Sequence, residues 1–273
     1  MSRLSISAAW EETRAILARD GRLLSSVALA LVALPATATG LVSPNGFAET
    51  TAPLWIDLVM LIASLIALAG QLALIRLAIG PSITVGSAIA HGLRRMPVYL
   101  LSAIMVVLAL IVIGIPFALA LAALGVPLEA KPVPVSGILV IVATIYVLIV
   151  CFVGVRMVMS APAASAEPIG SIAILRRSWT LTSGHFWPLL GFLLVFFVGA
   201  IIVLAAIVAA AGAVIGLTLG PPEAGSASAL LLALVQGLVN AGVTVLFAVM
   251  LARIYVQLAG AGVAQPSVPS SGI

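Results

Sequence analysis

SIAILRRSWTLTSGHFWPLLGFLLVFFVGAIIVLAAIVAAAGAVIGLTL, residues 171–219, decides the architecture. From Phe186 to Leu219 it carries no charged residue. About 20 apolar residues cross a bilayer, so this run spans one with length left over for tilt or projection. The part before it is mixed. Spacings of three and four put Ile172, Leu175, Trp179 and Thr182 on one helix face, and Arg176 and Arg177 fall elsewhere on the circumference. That is the pattern of a helix lying in the headgroup plane with its apolar face down. Pro168 suits a first turn and Gly184 a helix end.

Five more apolar runs extend outward from this unit, at roughly 23–42, 54–79, 97–124, 135–159 and 227–259. The chain is 63% hydrophobic and 7% charged, against about 25% charged in soluble domains. Lipid is therefore its solvent. Six crossings divide the connections into two sets. One holds Arg3, Arg14, Arg19, Arg22, Arg76, Arg94, Arg95, Arg156, Arg176, Arg177 and Arg253; the other holds Lys131 with Glu49, Asp57, Glu129 and Glu223. Short loops rich in Lys and Arg stay cytoplasmic, so both termini are expected inside. Residues 23–38 imitate a signal peptide, but the polar stretch before them is long and carries Glu11, Glu12 and Asp20, so they read as a retained first helix. Cys151 stands alone within a span, excluding an internal disulfide, and is expected to be a buried packing residue. The outer connections read as short turns.

The mixed segment recurs. Ser5–Arg22 carries Ile6, Trp10, Thr13 and Leu17 on one stripe, and Ser82–Met96 carries Val85, Ile89, Leu93 and Met96. The expected fold is an all-α integral membrane protein with six transmembrane helices and three cytoplasmic-side interfacial amphipathic helices. Residues 1–260 form a single domain and 261–273 a disordered tail. The order of interfacial helix, span, turn and span occurs three times, most clearly in GSAIAHGLRRMPVYLL (86–101) and GSIAILRRSWTLTSGHFWPLL (170–190). Duplication accounts for this threefold repeat. So does a shared need for snorkelling bases at inner helix ends.

Residues 171–194 also resemble the glycerophosphoryl diester phosphodiesterase membrane-domain family, which shows an Arg-Ser-Trp-x-Leu-Thr-x-Gly-x-Phe-Trp stretch leading into a long span. The matching residues are Arg177, Ser178, Trp179, Leu181, Thr182, Gly184, Phe186 and Trp187. AAWEETRAILARDGRLL, GQLALIRLAIGPSITVGSAI and ARIYVQLAG match less closely. The resemblance implies a multi-pass bacterial inner-membrane protein. Some members carry a catalytic barrel after the membrane part; none is expected here, and the family name does not imply an activity for this chain.

No phosphate loop, nucleophile elbow or metalloprotease helix is present. His91 and His185 lack carboxylates at ligand spacing. No catalytic residue, cofactor or metal is therefore expected, and the bases are not arranged for nucleic acid. The lipid-headgroup candidates are Arg94, Arg95, Arg176, Arg177 and Trp179. The intramembrane polar candidates are Gln71, Gln236 and Asn240, for which interhelical hydrogen bonding is the simpler role. Gly212, Gly216 and Gly220 form a small stripe suited to packing within the subunit or between copies. The leading function is a non-catalytic protein engaging anionic membrane lipids, a membrane protein partner or a second copy of itself. The alternative is a transporter or lipid-translocating protein with a polar path near Gln71, Gln236 and Asn240.

Overall fold

The structure, a computed structural model, describes residues 5–42, 53–80, 84–126, 135–223 and 225–260. Within these residues the chain is helical and forms no strand. The helices are α1 (Ile6–Ala28), α2 (Leu34–Val42), α3 (Leu54–Ile79), α4 (Val85–Ala123), α5 (Gly137–Met157), α6 (Ser160–Ala166), α7 (Ser171–Thr182), α8 (Phe186–Leu219) and α9 (Ala227–Gly260), with a π-helical turn at Leu29–Ala33 joining α1 to α2. Six helical stretches are long and apolar enough to cross a membrane. The connections holding Glu49, Glu129 and Lys131, and the expected disordered tail at 261–273, lie outside the described residues.

Of the three amphipathic segments, only the third is a separate helix, α7. The first runs through the π turn into its span, and the second continues unbroken into the 39 residues of α4. Nothing stops them. Pro97 and Pro116 sit inside α4, and Pro35 follows the π turn, where the register change accommodates a residue that cannot donate to the preceding turn. At 1.5 Å per residue α4 is about 58 Å long, roughly twice the hydrocarbon thickness, so part of it lies beyond the lipid.

The faces also differ from those read in the sequence. The buried stripe of α1 is Ala9, Thr13 and Ile16, not Ile6, Trp10 and Leu17; only Thr13 belongs to both. In α4 it is Ala88 and Gly92, with Leu93 exposed. In α7 it is Ile174, Ser178, Leu181 and Thr182, while Ile172 and Trp179 face outward. Helices in lipid gain little by hiding large apolar groups from a solvent that is itself apolar, so contacts favour small residues that let backbones approach. A small residue facing inward is followed at once by a large one facing outward in all three segments: Ala9-Trp10, Gly92-Leu93 and Ser178-Trp179.

Each segment packs on the last turns of an even-numbered span. α4 lies against α3, α7 against α5, and α1 against α9, so the first segment closes on the sixth span. The spans α3, α4, α5, α8 and α9 touch in that order, and α9 returns to α3. The first span fits between α3 and α9, where Gly70 faces Leu31 and Gly237 faces Ala33 and Thr37. The core is concentrated at the arginine-bearing end, where Leu24, Leu72, Leu74, Ile75, Met159, Ile174, Leu189, Leu251 and Ile254 are fully buried. α4, α5 and α8 leave most of their surface open. Cys151 is exposed on α5 rather than packed, because that helix makes few neighbours at its level. The small stripe on α8 packs only in part: a Cβ at Gly212 would lie 3.8 Å from Leu232 of α9, and one at Gly216 would meet nothing within 4 Å.

Gly92 tests the close approach of α4 to α3. A Cβ there would lie 2.6 Å from the Ala69 carbonyl oxygen. Gly92→Ala is expected to destabilise the protein by about 1–3 kcal/mol, as overpacking does. Gly86→Ala, with open space around it, should be neutral or slightly stabilising. Thermal unfolding of the two variants in detergent compares them directly.

Candidate functional site

The arginine-bearing end holds a polar knot built on residues 160–170. α6 is short and fully packed, with Ser165 buried, so its last carbonyls cannot reach water. A helix end leaves such carbonyls without intrahelical partners. Arg95, from α4, supplies the donors. Its Nε donates to the Ala164 carbonyl at 2.9 Å, and Nη2 donates to the carbonyls of Glu167 at 2.6 Å and Ile169 at 2.8 Å. His91, one turn earlier, places Nε2 2.9 Å from the Ser165 carbonyl. A carbonyl only accepts, so Nε2 carries the proton. The Ser165 hydroxyl donates to the Leu72 carbonyl, tying α6 to α3.

Glu167 is the second centre. One carboxylate oxygen accepts from Arg177 Nε at 2.8 Å and from the Tyr255 hydroxyl at 2.5 Å. This joins the α6–α7 connection to α7 and α9. Burial works against the Arg177 charge, but the Glu167 hydrogen bond and charge outweigh it and hold the guanidinium above its ordinary pKa.

Other helix ends are satisfied in the same way. The Arg156 carbonyl, near the end of α5, accepts from Ser178 at 2.7 Å and from Thr182 at 3.4 Å. Its guanidinium lies 5.2–5.9 Å from the ring centres of Trp179, Phe152 and Phe186, an aromatic cage. Arg253 donates to the Ala78 carbonyl at the end of α3 and lies 3.8 Å from Glu12.

The five headgroup candidates therefore separate. Arg95 and Arg177 are turned inward and committed to the knot. Arg94 and Arg176 are exposed. Trp179 is 42% exposed while its ring flanks Arg156. Charge pattern alone did not distinguish these arginines, because neighbours in a helix point about 100° apart and the apolar stripe was read as the face turned to the membrane, with no inward face assigned. Tyr255 was not singled out in the sequence; Arg156 was read only as a base at the inner end of a span, and Glu167 only as a carboxylate just before a helix start, where it favours the dipole.

The structure brings two of the three intramembrane polar candidates together. Gln71 and Asn240 line one cavity of about 390 Å3 with Ser64, Thr244, Phe196, Phe197 and Phe247. Gln236 is exposed one turn from Asn240 and is not part of that lining. His91 is used by the knot, and His185 lies in the turn before α8, apart from it in the chain. Among the described residues no three His, Cys, Asp or Glu side chains gather as a metal site would require.

A family model described as a domain of unknown function, DUF7847, matches residues 4–258. The chain belongs to that family. No curated protein and no solved structure matches it. The DUF7847 match covers all six spans and the knot together, so this domain includes the amphipathic segments as well as the lipid-facing helices.

The knot predicts a contrast between adjacent arginines. Arg95→Gln removes a charged donor from three carbonyls and should cost about 2–3 kcal/mol, the range for hydrogen bonds to charged groups left unmade. Arg94→Gln, at an exposed position, should change stability by less than about 0.5 kcal/mol. Chemical or thermal unfolding in detergent measures both; equal effects would contradict the assignment.

Proposed function

We propose that this is a non-catalytic membrane protein that engages anionic lipid headgroups at the arginine-bearing face and organises lipid, or a membrane partner, there. The observation that carries the reading is the repeated pairing of an exposed large apolar side chain with an exposed base: Trp10 with Arg14, Leu93 with Arg94, and Trp179 with Arg176. An apolar group that enters the headgroup boundary beside a base that stays at its surface is how interfacial helices bind. The inward arginines support the reading indirectly, because they fix the helices that present these pairs. By the arginine asymmetry this face is cytoplasmic and both termini lie inside; the bacterial inner membrane is what the family resemblance implies. The likeness of 171–194 to the phosphodiesterase membrane domains fits a protein of that setting.

A second reading, a transporter or lipid-translocating protein, is favoured by one observation. Gln71 and Asn240 converge on the same cavity, at a depth where polar side chains are costly.

Arg94→Gln combined with Arg176→Gln separates headgroup binding from topology signalling. Each base near an anionic surface contributes about 1 kcal/mol, so the double variant should retain roughly thirtyfold less anionic phospholipid through purification, read by mass spectrometry. Wild-type retention should also fall with added salt. Retention that responds to neither the substitutions nor salt would overturn the headgroup reading.

A further inference from the structure

The cavity between α3, α8 and α9 has a composition that selects a ligand class. Its wall combines two carboxamides, Gln71 and Asn240, two hydroxyls, Ser64 and Thr244, and three phenyl rings. It has no ionisable group. Ser64 donates to the Leu61 carbonyl of its own helix. Among the described residues the carboxamides of Gln71 and Asn240 have no hydrogen-bond partner.

The depth follows from helix geometry. Gln71 is five residues from Arg76 on α3, and Asn240 is thirteen residues from Arg253 on α9. At 1.5 Å per residue these amides lie about 8 and 20 Å from the two arginines that mark the basic end. That is inside the hydrocarbon, whose full thickness is about 30 Å. An amide in that medium must find a hydrogen-bonding partner or bear a desolvation cost. A carboxamide both donates and accepts, so the fitting partner carries a hydroxyl and a carbonyl. A charged headgroup would be stripped of water there with no counter-charge to meet it.

The apolar wall identifies the rest of the ligand. Phe196 and Phe247 pack with ring centres 4.9 Å apart, and Phe197 lies 5.4 Å from Phe247. Leu68, Val32 and Val243 complete the lining. A volume of about 390 Å3 accommodates a small head and the first part of an acyl chain, and leaves the remaining chain in the bilayer.

We infer that this cavity binds the uncharged, hydroxyl- and ester-bearing head of a neutral lipid of the diacylglycerol class, its polar groups lying along the wall that carries Gln71 and, deeper, Asn240. The inference deepens the translocation reading by naming its ligand. Binding at equilibrium requires no transport step, so the two fail separately.

The test uses the full chain in nanodiscs of neutral phospholipid, with a diacylglycerol probe bearing a photoactivated diazirine near the head end of one chain. Labelling is expected on α3, α8 or α9 around the cavity. Unlabelled dioleoylglycerol should displace the probe, and dioleoyl phosphatidylglycerol should not. Gln71→Leu with Asn240→Leu should lower labelling at least about tenfold, the loss expected for two hydrogen bonds. Thr244→Phe, which fills the space and leaves both amides in place, should lower it comparably. Arg94→Gln with Arg176→Gln should leave it unchanged. Circular dichroism and elution volume identify folded variants. Labelling that persists in both folded cavity variants, equal competition by the anionic lipid, or an unlabelled wild-type cavity holding water alone would each overturn the inference. Site-specific labelling without transport of the probe would sustain it while removing the translocation reading.

Discussion

Backbone carbonyls at the ends of helices must find donors, and at the arginine-bearing end of this protein side chains of neighbouring helices supply them. Everything at that end follows from the constraint. Arg95 crosses from α4 to the last carbonyls of α6. Arg253 reaches from α9 to the end of α3. Ser178 and Thr182 turn their hydroxyls to the end of α5. Each donor comes from a helix other than the one it completes, so satisfying a helix end also fastens two helices together. Such bonds matter more here than in a water-soluble bundle, because lipid gives the spans no hydrophobic reason to associate.

The same constraint explains why the packing is uneven. The large buried side chains gather at the arginine-bearing end, beside the carbonyls that those donors complete. Farther along, contacts rest on close backbone approach at Gly70 and Gly237, with Gly40 meeting Ala233 near the far end. α4, α5 and α8 spread apart, and their open faces are those expected of helices surrounded by lipid. The circular order in which each amphipathic segment rests on the end of an even span gives the threefold pattern a structural counterpart.

Much of this architecture was legible in the sequence. Long uncharged runs and a basic bias at alternate connections locate six spans without any tertiary information. The inward faces were not legible, because apolar periodicity marks the face turned to lipid and says nothing of which residues carry contacts within the bundle. Trp10, Leu93 and Trp179 are the strongest hydrophobic marks on their segments, and each faces out. The small residues just before them carry the contacts. A pattern of Ala, Gly or Ser followed by one large apolar residue is the signal that could have found those faces. The candidate sites were legible in part for the same reason. Gln71 and Asn240 stood out because amides are rare within apolar runs. The inward Arg95 and Arg177 looked like their exposed neighbours Arg94 and Arg176, and the partner that distinguishes Arg177, Glu167, is ten residues away in the chain.

These features describe a protein with a rigid basic end, an exposed rim of paired aromatic or aliphatic side chains and bases, and a neutral cavity within the lipid depth. The basic end depends on residues 160–170 being held in place by α3, α4 and α9. Hydrogen–deuterium exchange of the intact protein in nanodiscs tests that dependence most directly. The account predicts that the backbone amides of 163–169 exchange as slowly as those of the buried last turns of α3. Rapid exchange across that segment, with α3 still protected, would contradict it.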